Sequence, residues 1–206
     1  MAARKRASAQ KIYELVVELE DVTPLVWRRL LVPGSITLPE LHDLLQLVMG
    51  WTDSHLHSFT FGETTYCNAH AGNLEDLAMV SEAKQTLEAA LGARGREFRY
   101  LYDFGDCWRC RAAVKPLAHP NSEWGYPVCT GGARAVPPDD VGGTGGYEDF
   151  LAAIGDPEHE DHEALLGWAG GAFDPDGFDL NAINRYLRFG FPPRRFKRWV
   201  LAGHDG

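Results

Sequence analysis

An alternating run of apolar and polar residues near the start of the chain constrains the fold most. Between Ile12 and Glu20, the residues at every second position are Tyr, Leu, Val and Leu, and three of the four positions between and after them are Glu. A period of two predicts a β-strand with one buried face and one wet face. A turn at Asp21–Pro24 leads into a second apolar run, Leu25–Val32. The chain is therefore predicted to begin with a β-hairpin.

The next segment has the pattern of an amphipathic helix. Pro39 is typical of a first helical turn, and Gly50 is a common residue just beyond a helix end. The apolar residues between them recur at helical spacing: Leu41, Leu44, Leu45, Val48 and Met49. We expect this helix to pack its leucine face against the sheet.

Strand patterns dominate the first half of the chain and helix patterns the last third. Further strands are predicted at His55–Phe61, Phe98–Tyr102 and Trp108–Lys115, and further helices at Ser81–Leu91, Tyr147–Ile154, Glu160–Trp168 and Leu180–Phe189. A Pro- and Gly-rich loop is expected from Leu117 to Gly146. This order predicts a single α+β domain, with a mixed, mostly antiparallel sheet rolled around one or two helices and a helical C-terminal part. The domain is expected to span residues 12–190, between a flexible basic N-terminus (1–11) and a basic C-terminal tail (191–206).

Charge and composition limit the classes of function. The 206-residue chain carries a net charge of −9, yet both ends are basic. An acidic body argues against a general nucleic-acid-binding surface, so any DNA contact is expected to be weak and confined to the termini. No signal peptide or membrane-spanning apolar run is apparent, which predicts a cytoplasmic protein whose four cysteines are thiols.

Histidines and cysteines offer one set of candidate metal ligands. His55 and His57 would share one face of a strand, and Cys110 and Cys129 could join them around zinc. Against this, Cys107 and Cys110 are three apart in or beside a predicted strand, and no second Cys-x-x-Cys pair exists. The sequence leaves two interpretations open, a zinc site or packed thiols with one buried histidine, and we expect that folding needs no cofactor.

A second candidate site is a groove at the long loop. Aromatic residues cluster around the turn at 102–108 and the loop, where they predict either core under the loop or the walls of a ligand groove. The candidate groove residues are Tyr102, Asp103, Asp106, Trp108, Tyr126, Arg134, Asp140 and Tyr147. We expect the loop to pack on the turn, with Arg134 paired to one of the aspartates at 103, 106, 139 or 140.

Four stretches of sequence resemble a known family. They are Trp51–Phe59, Tyr102–Trp108 (Tyr-Asp-Phe-Gly-Asp-Cys-Trp), Tyr126–Tyr147 and Trp168–Asn184. In this order they are similar to the Ri-plasmid open-reading-frame-three family, whose members are often labelled transposon resolvases. The resemblance implies an α+β roll of unknown activity from a mobile-element setting. Where relatives typically read Asp-Phe-Gly-Asp-Asp-Trp-x-His, this chain has Cys107 and Cys110.

Taken together, these patterns favour a non-catalytic binding module over an enzyme. The expected partner is a protein, a peptide or a small molecule, and no membrane is involved. Two alternatives remain: a metal-dependent enzyme that uses the histidines and cysteines, and a DNA-associated accessory protein of mobile elements. A recombinase itself is disfavoured, because Tyr102 and Tyr147 lie among acidic residues.

Overall fold

One mixed sheet organises the residues that this computed structural model describes, which are 10–68, 78–93, 95–121 and 125–190. Its strands are β1 Ile12–Leu19, β2 Trp27–Pro33, β3 His57–Phe61, β4 Thr64–Cys67, β5 Val80–Ser81, β6 Glu97–Tyr102, β7 Trp108–Pro116 and β8 Val128–Ala133. The helices are α1 Leu38–Met49, α2 Leu87–Leu91, α3 Gly143–Gly155, α4 His162–Trp168 and α5 Leu180–Gly190. None of these helices is long and apolar enough to cross a membrane.

The strand order is β5-β4-β3-β6-β7-β1-β2-β8. Every neighbouring pair is antiparallel except β4 and β5, which are parallel. The opening hairpin β1–β2 therefore lies inside the sheet, flanked by β7 and β8. This topology confirms the predicted α+β fold with a mixed, mostly antiparallel sheet.

The leucine face of α1 is part of the core beneath the sheet, as its spacing predicts. A capping box begins the helix: the backbone N–H of Thr37 donates to Glu40 Oε2 (2.9 Å), and that of Glu40 donates to Thr37 Oγ1 (3.4 Å). Gly50 ends it in the left-handed conformation, with φ of 85°. Local signals thus define both ends of this helix, and the prediction is confirmed.

Three predictions about secondary structure differ from the structure. The long loop contains β8, whose glycines at 131 and 132 weaken the strand pattern. The helix predicted at Ser81–Leu91 is only the short α2, because Ser81 belongs to β5. His55 lies outside β3, which begins at His57. The predicted termini were residues 1–11 and 191–206, and of these 1–9 and 191–206 lie outside the described residues.

Arg28 connects α1, β2 and the end of β8. Its side chain is buried, with 3% exposure, and donates only to backbone carbonyls. The acceptors are Val48 O (2.8 Å), Trp27 O (2.8 Å), Ala133 O (2.9 Å) and Arg134 O (2.8 Å). The guanidinium also lies over the Phe178 ring, 4.8 Å from its centroid. Burial lowers the pKa of Arg28 to about 10.

Arg134 does pair with a carboxylate, but not with one of the four expected. Its Nη1 contacts Asp176, which lies in the turn before α5. The ion pair therefore ties the end of β8 to the C-terminal helical part rather than to the turn at 102–108. Sequence spacing could not identify this partner, because the two residues are 42 positions apart.

Replacing Arg28 tests its role in the fold. Arg28→Met keeps the apolar stem but removes the donors to four carbonyls, so we expect a loss of at least about 3 kcal/mol in unfolding free energy. Arg29→Met is the matched control, because Arg29 is the exposed neighbour on the same strand and should change stability little. Urea unfolding of both variants measures the difference. Equal stabilities would contradict this role.

Candidate functional site

Three segments from separate family-like stretches meet at one edge of the core. The Trp51 indole donates to Pro137 O (3.2 Å), and the Thr52 backbone N–H donates to Asp139 Oδ2 (3.0 Å). The backbone N–H of Gly142 donates to Asp106 Oδ2 (3.1 Å). These contacts confirm that the loop before α3 packs on the β6–β7 turn. We call this place the junction, formed by residues 51–55, 103–106 and 137–142.

Glycine is required where α3 begins against the turn. A Cβ on Gly143 would lie 2.9 Å from the backbone oxygen of Asp106, and the residue has φ of 70°. Any larger residue would push the helix start away from the turn. The Gly-rich run before α3 therefore permits close backbone approach at the junction.

The junction gathers one imidazole and two carboxylates. His55 Nε2 is 3.2 Å from Asp140 Oδ1 and 3.6 Å from Asp103 Oδ2. Neither contact is a hydrogen bond, and Nε2 is buried without a hydrogen-bond partner. Asp103 is 7% exposed, whereas the Asp140 side chain is largely exposed. Among the three side chains, that of Asp103 is therefore the most buried and that of Asp140 the most accessible to solvent.

The β6–β7 turn orients the Asp103 side chain toward His55. Its Oδ1 accepts the backbone N–H of Gly105 (2.8 Å), which leaves Oδ2 directed to His55. Its φ is 56°, and that of Asp140 is 62°. Left-handed backbone is uncommon outside glycine, and aspartate is among the residues that adopt it most readily. Both loops are therefore shaped so that these two acids reach the same imidazole.

The predicted groove residues separate into two groups. Tyr102, Trp108 and Tyr147 are core residues, with exposures of 0%, 1% and 3%. Tyr102 stacks on Trp51 at 4.7 Å between centroids. These aromatic rings support the junction from below rather than forming the walls of an open groove.

The polar and loop residues of the predicted groove are more accessible. Asp103, Asp106 and Asp140 lie at the junction, and Arg134 lies away from it with Asp176. Tyr126 is partly buried, and its hydroxyl donates to Asn121 O (3.0 Å) within the long loop. Only the three aspartates of the predicted set therefore come together.

The predicted His–Cys metal set is divided among different surroundings. His57 is buried and its Nε2 lies 3.0 Å from Glu82 Oε2, while His55 faces the junction. Cys110 and Cys129 are buried, and burial raises the pKa of both thiols. Among the described residues, two clusters of three or more ligand-type side chains occur, and neither includes a cysteine: His42–Asp43–Asp53 and His55–Asp103–Asp140.

A closed ring of hydrogen bonds fixes the segment that carries His55. Gln46 Nε2 donates to the Tyr100 hydroxyl (2.9 Å), and the Asp53 backbone N–H donates to Gln46 Oε1 (2.8 Å). His42 joins Tyr100 and Asp53 through Nδ1 and Nε2, each at 2.8 Å. An ionised Asp53 can only accept, so Nε2 carries a proton and donates to it. We call this set the polar ring.

Burial lowers the pKa of His42 below the usual imidazole value of about 6.5, although its hydrogen bond to Asp53 opposes that shift. Its neutral form lets Nδ1 accept from the Tyr100 hydroxyl, which completes the ring. The His42 ring also stacks on His57, with 3.5 Å between centroids. The sequence analysis missed this network. The polar residues at 42 and 46, four apart beside the leucine face of α1, were the available signal.

A cleft of about 610 Å³ opens between α3 and α4, next to the junction. Its lining residues are Asp140, Val141, Gly146, Asp149, Phe150, Ala152, Ala153, His159, Glu160, Asp161, Leu165 and Trp168. Four of these are acidic, and Lys and Arg are absent from this lining. Trp168 is half exposed and meets Phe150 edge-on at 5.9 Å. The cleft therefore combines uncompensated negative charge with an accessible aromatic surface.

The neutral state of His42 predicts a pH dependence of stability. Since the native pKa lies below the unfolded value, the unfolded chain takes up the proton first, and stability falls as pH drops below about 6.5. We expect His42→Gln to remove part of this slope, by up to about 1.4 kcal/mol per pH unit. Urea unfolding between pH 7 and 5 measures it, with His159→Gln as an exposed control. A variant slope equal to that of the wild type would contradict the neutral assignment.

Comparison with known proteins places the chain and its fold in a family. The chain is 33% identical over 175 residues to an uncharacterized protein, y4hQ, of Sinorhizobium fredii, covering 84% of this chain and 89% of that protein. A crystal structure of the protein of unknown function MM3350 from Methanosarcina mazei matches with a TM-score of 0.74 and 35% identity, covering 84% and 97% of the two chains. The profile of the plasmid pRiA4b ORF-3-like proteins matches residues 11–182. The chain belongs to the plasmid pRiA4b ORF-3-like family.

Proposed function

We propose that this protein is a non-catalytic binding module that takes a basic side chain of a partner polypeptide in the cleft between α3 and α4. The observation that carries the proposal is the composition of that cleft: four acidic residues, no Lys or Arg in its lining, and a half-exposed tryptophan. An arginine or lysine side chain matches each of these features. Its charge is attracted by the carboxylates, and its face or stem packs on an aromatic ring.

The position of the cleft supports the same function. Asp140 belongs both to its wall and to the junction, so a bound ligand would contact the loop that the family-like stretches build. The opposite wall is α4, in which Leu165 and Trp168 are only partly buried. A ligand that buries this exposed aromatic surface gains binding free energy, which a purely acidic surface would not provide.

The DNA-associated alternative rests on other parts of the chain. Most of the basic residues on which it depends fall in 1–9 and 191–206, outside the described residues, so it stays a prediction. The described cleft is acidic and would repel phosphate.

Titration with a pair of small ligands tests the proposed function. We expect N-acetyl-arginine amide to shift amide NMR signals of residues 140–168 in a saturable way, and the uncharged citrulline analogue to do so far more weakly. Trp168→Ala should weaken binding about 2- to 5-fold, as expected for the loss of an exposed cation–π contact. Asp149→Asn combined with Asp161→Asn should weaken it further.

Glu63→Gln is the matched control, because it removes an exposed acid in the β3–β4 turn, away from the cleft. It should leave the affinity unchanged. Equal binding of the arginine and citrulline ligands, or shifts that map away from α3 and α4, would contradict the proposed function.

A further inference from the structure

The geometry at the junction points to a metal site. His55 comes from the segment after α1, Asp103 from the β6–β7 turn, and Asp140 from the loop before α3. One atom from each, Nε2 and two carboxylate oxygens, lies within 4.8 Å of the other two. Three separate segments therefore place nitrogen and oxygen ligands around one point, although these residues are 37 to 85 positions apart, as their numbers show.

The distances agree with coordination of a common ion. Zinc–nitrogen and zinc–oxygen bonds of about 2.0–2.2 Å at a tetrahedral angle place two ligand atoms about 3.4 Å apart. Slightly longer bonds at an octahedral angle place them at about 3.0–3.1 Å. The observed separations from His55 Nε2, 3.2 Å and 3.6 Å, lie around these values.

The hydrogen bonding at the junction fits the same assignment. His55 Nε2 is a buried polar atom with no hydrogen-bond partner, although two carboxylates lie beside it. A buried nitrogen without a partner is costly unless another group satisfies it. Asp103 has the arrangement of an oriented ligand, since Oδ1 is held by the Gly105 N–H and Oδ2 faces His55.

We propose that His55, Asp103 and Asp140 bind one divalent transition-metal ion, with the remaining coordination positions open to water or to a ligand. One imidazole and two carboxylates suit manganese, iron or zinc better than magnesium or calcium, which prefer oxygen ligands alone. A divalent ion would also offset the repulsion between the two adjacent carboxylates. Asp140 is shared with the cleft between α3 and α4, whereas His55 and Asp103 are absent from the cleft lining, so variants of those two residues test the metal site alone.

Manganese is the best probe, because Mn²⁺ is a hard ion that binds thiols weakly, whereas zinc would also bind to any of the four cysteines. Electron paramagnetic resonance of free Mn²⁺ during titration of the full chain counts bound ions and gives the affinity. We expect one ion per chain, and paramagnetic broadening of NMR signals centred on residues 55, 103 and 140.

Three substitutions test the ligands: His55→Gln, Asp103→Asn and Asp140→Asn. Asparagine tolerates the positive φ of both aspartates, so the loops should keep their shape. Each change should weaken Mn²⁺ binding at least tenfold while the melting temperature stays near that of the wild type. Cys107→Ser and Glu63→Gln should have no effect on Mn²⁺ binding.

Asp43→Asn addresses the second cluster of ligand-type residues, His42–Asp43–Asp53. It should leave binding unchanged if the junction holds the ion. Absence of stoichiometric Mn²⁺ binding would overturn the proposal. So would Mn²⁺ binding that stays unchanged in Asp103→Asn and Asp140→Asn, or Mn²⁺ binding that is lost in Asp43→Asn but kept in the three junction variants. His55→Gln and Asp103→Asn leave the cleft lining intact and should not change the arginine titration, and the Asp149 and Asp161 variants should not change Mn²⁺ binding, so the two proposals fail separately.

Discussion

The buried guanidinium of Arg28 fixes two of the three segments from which the junction is built. It donates to Val48 O at the end of α1 and to the carbonyls of Ala133 and Arg134 at the end of β8. Residues 51–55 follow the first of these places, and residues 137–142 follow the second. Because one rigid, planar guanidinium binds the end of α1 and the end of β8, it fixes the positions of the two following segments relative to each other. All four hydrogen-bond acceptors of Arg28 are neutral carbonyl groups, and none is a carboxylate. The buried positive charge is therefore stabilised by these carbonyl dipoles.

The polar ring and the loop contacts hold the remaining parts of the junction in place. The ring binds Asp53 to α1 and β6, and so directs the next residues, including His55, toward the loop. On the other side, Asp139 accepts from Thr52, and Asp106 accepts from Gly142. Each contact satisfies a polar group in a chain segment that has no helix or strand partner there. A junction held from both sides is suited to keep ligand side chains in place, which is what a preorganised binding site needs.

The sequence predicts those parts of the fold that depend on local signals. The alternation of β1 and the caps of α1 act within a few residues, so both elements were identified with nearly the observed bounds. The strand β8 was missed because two of its six residues are glycine. In the candidate site, Asp103 and Asp140 were recognised as polar loop residues and His55 as a metal candidate, but in separate hypotheses. Their meeting depends on long-range docking, which no spacing in the sequence encodes, and for the same reason the partner of Arg134 was wrong.

The proposed metal site at the junction, formed by His55, Asp103 and Asp140, can be located in a crystal. Anomalous diffraction from a crystal soaked in Mn²⁺ tests it most directly, since it locates the ion without reference to activity. We expect one peak about 2.0–2.3 Å from His55 Nε2 and from one oxygen of each aspartate, which is the range of ordinary metal–ligand bonds. A map without a peak there, in which the imidazole instead forms a direct hydrogen bond with one of the two carboxylates, would contradict the proposal.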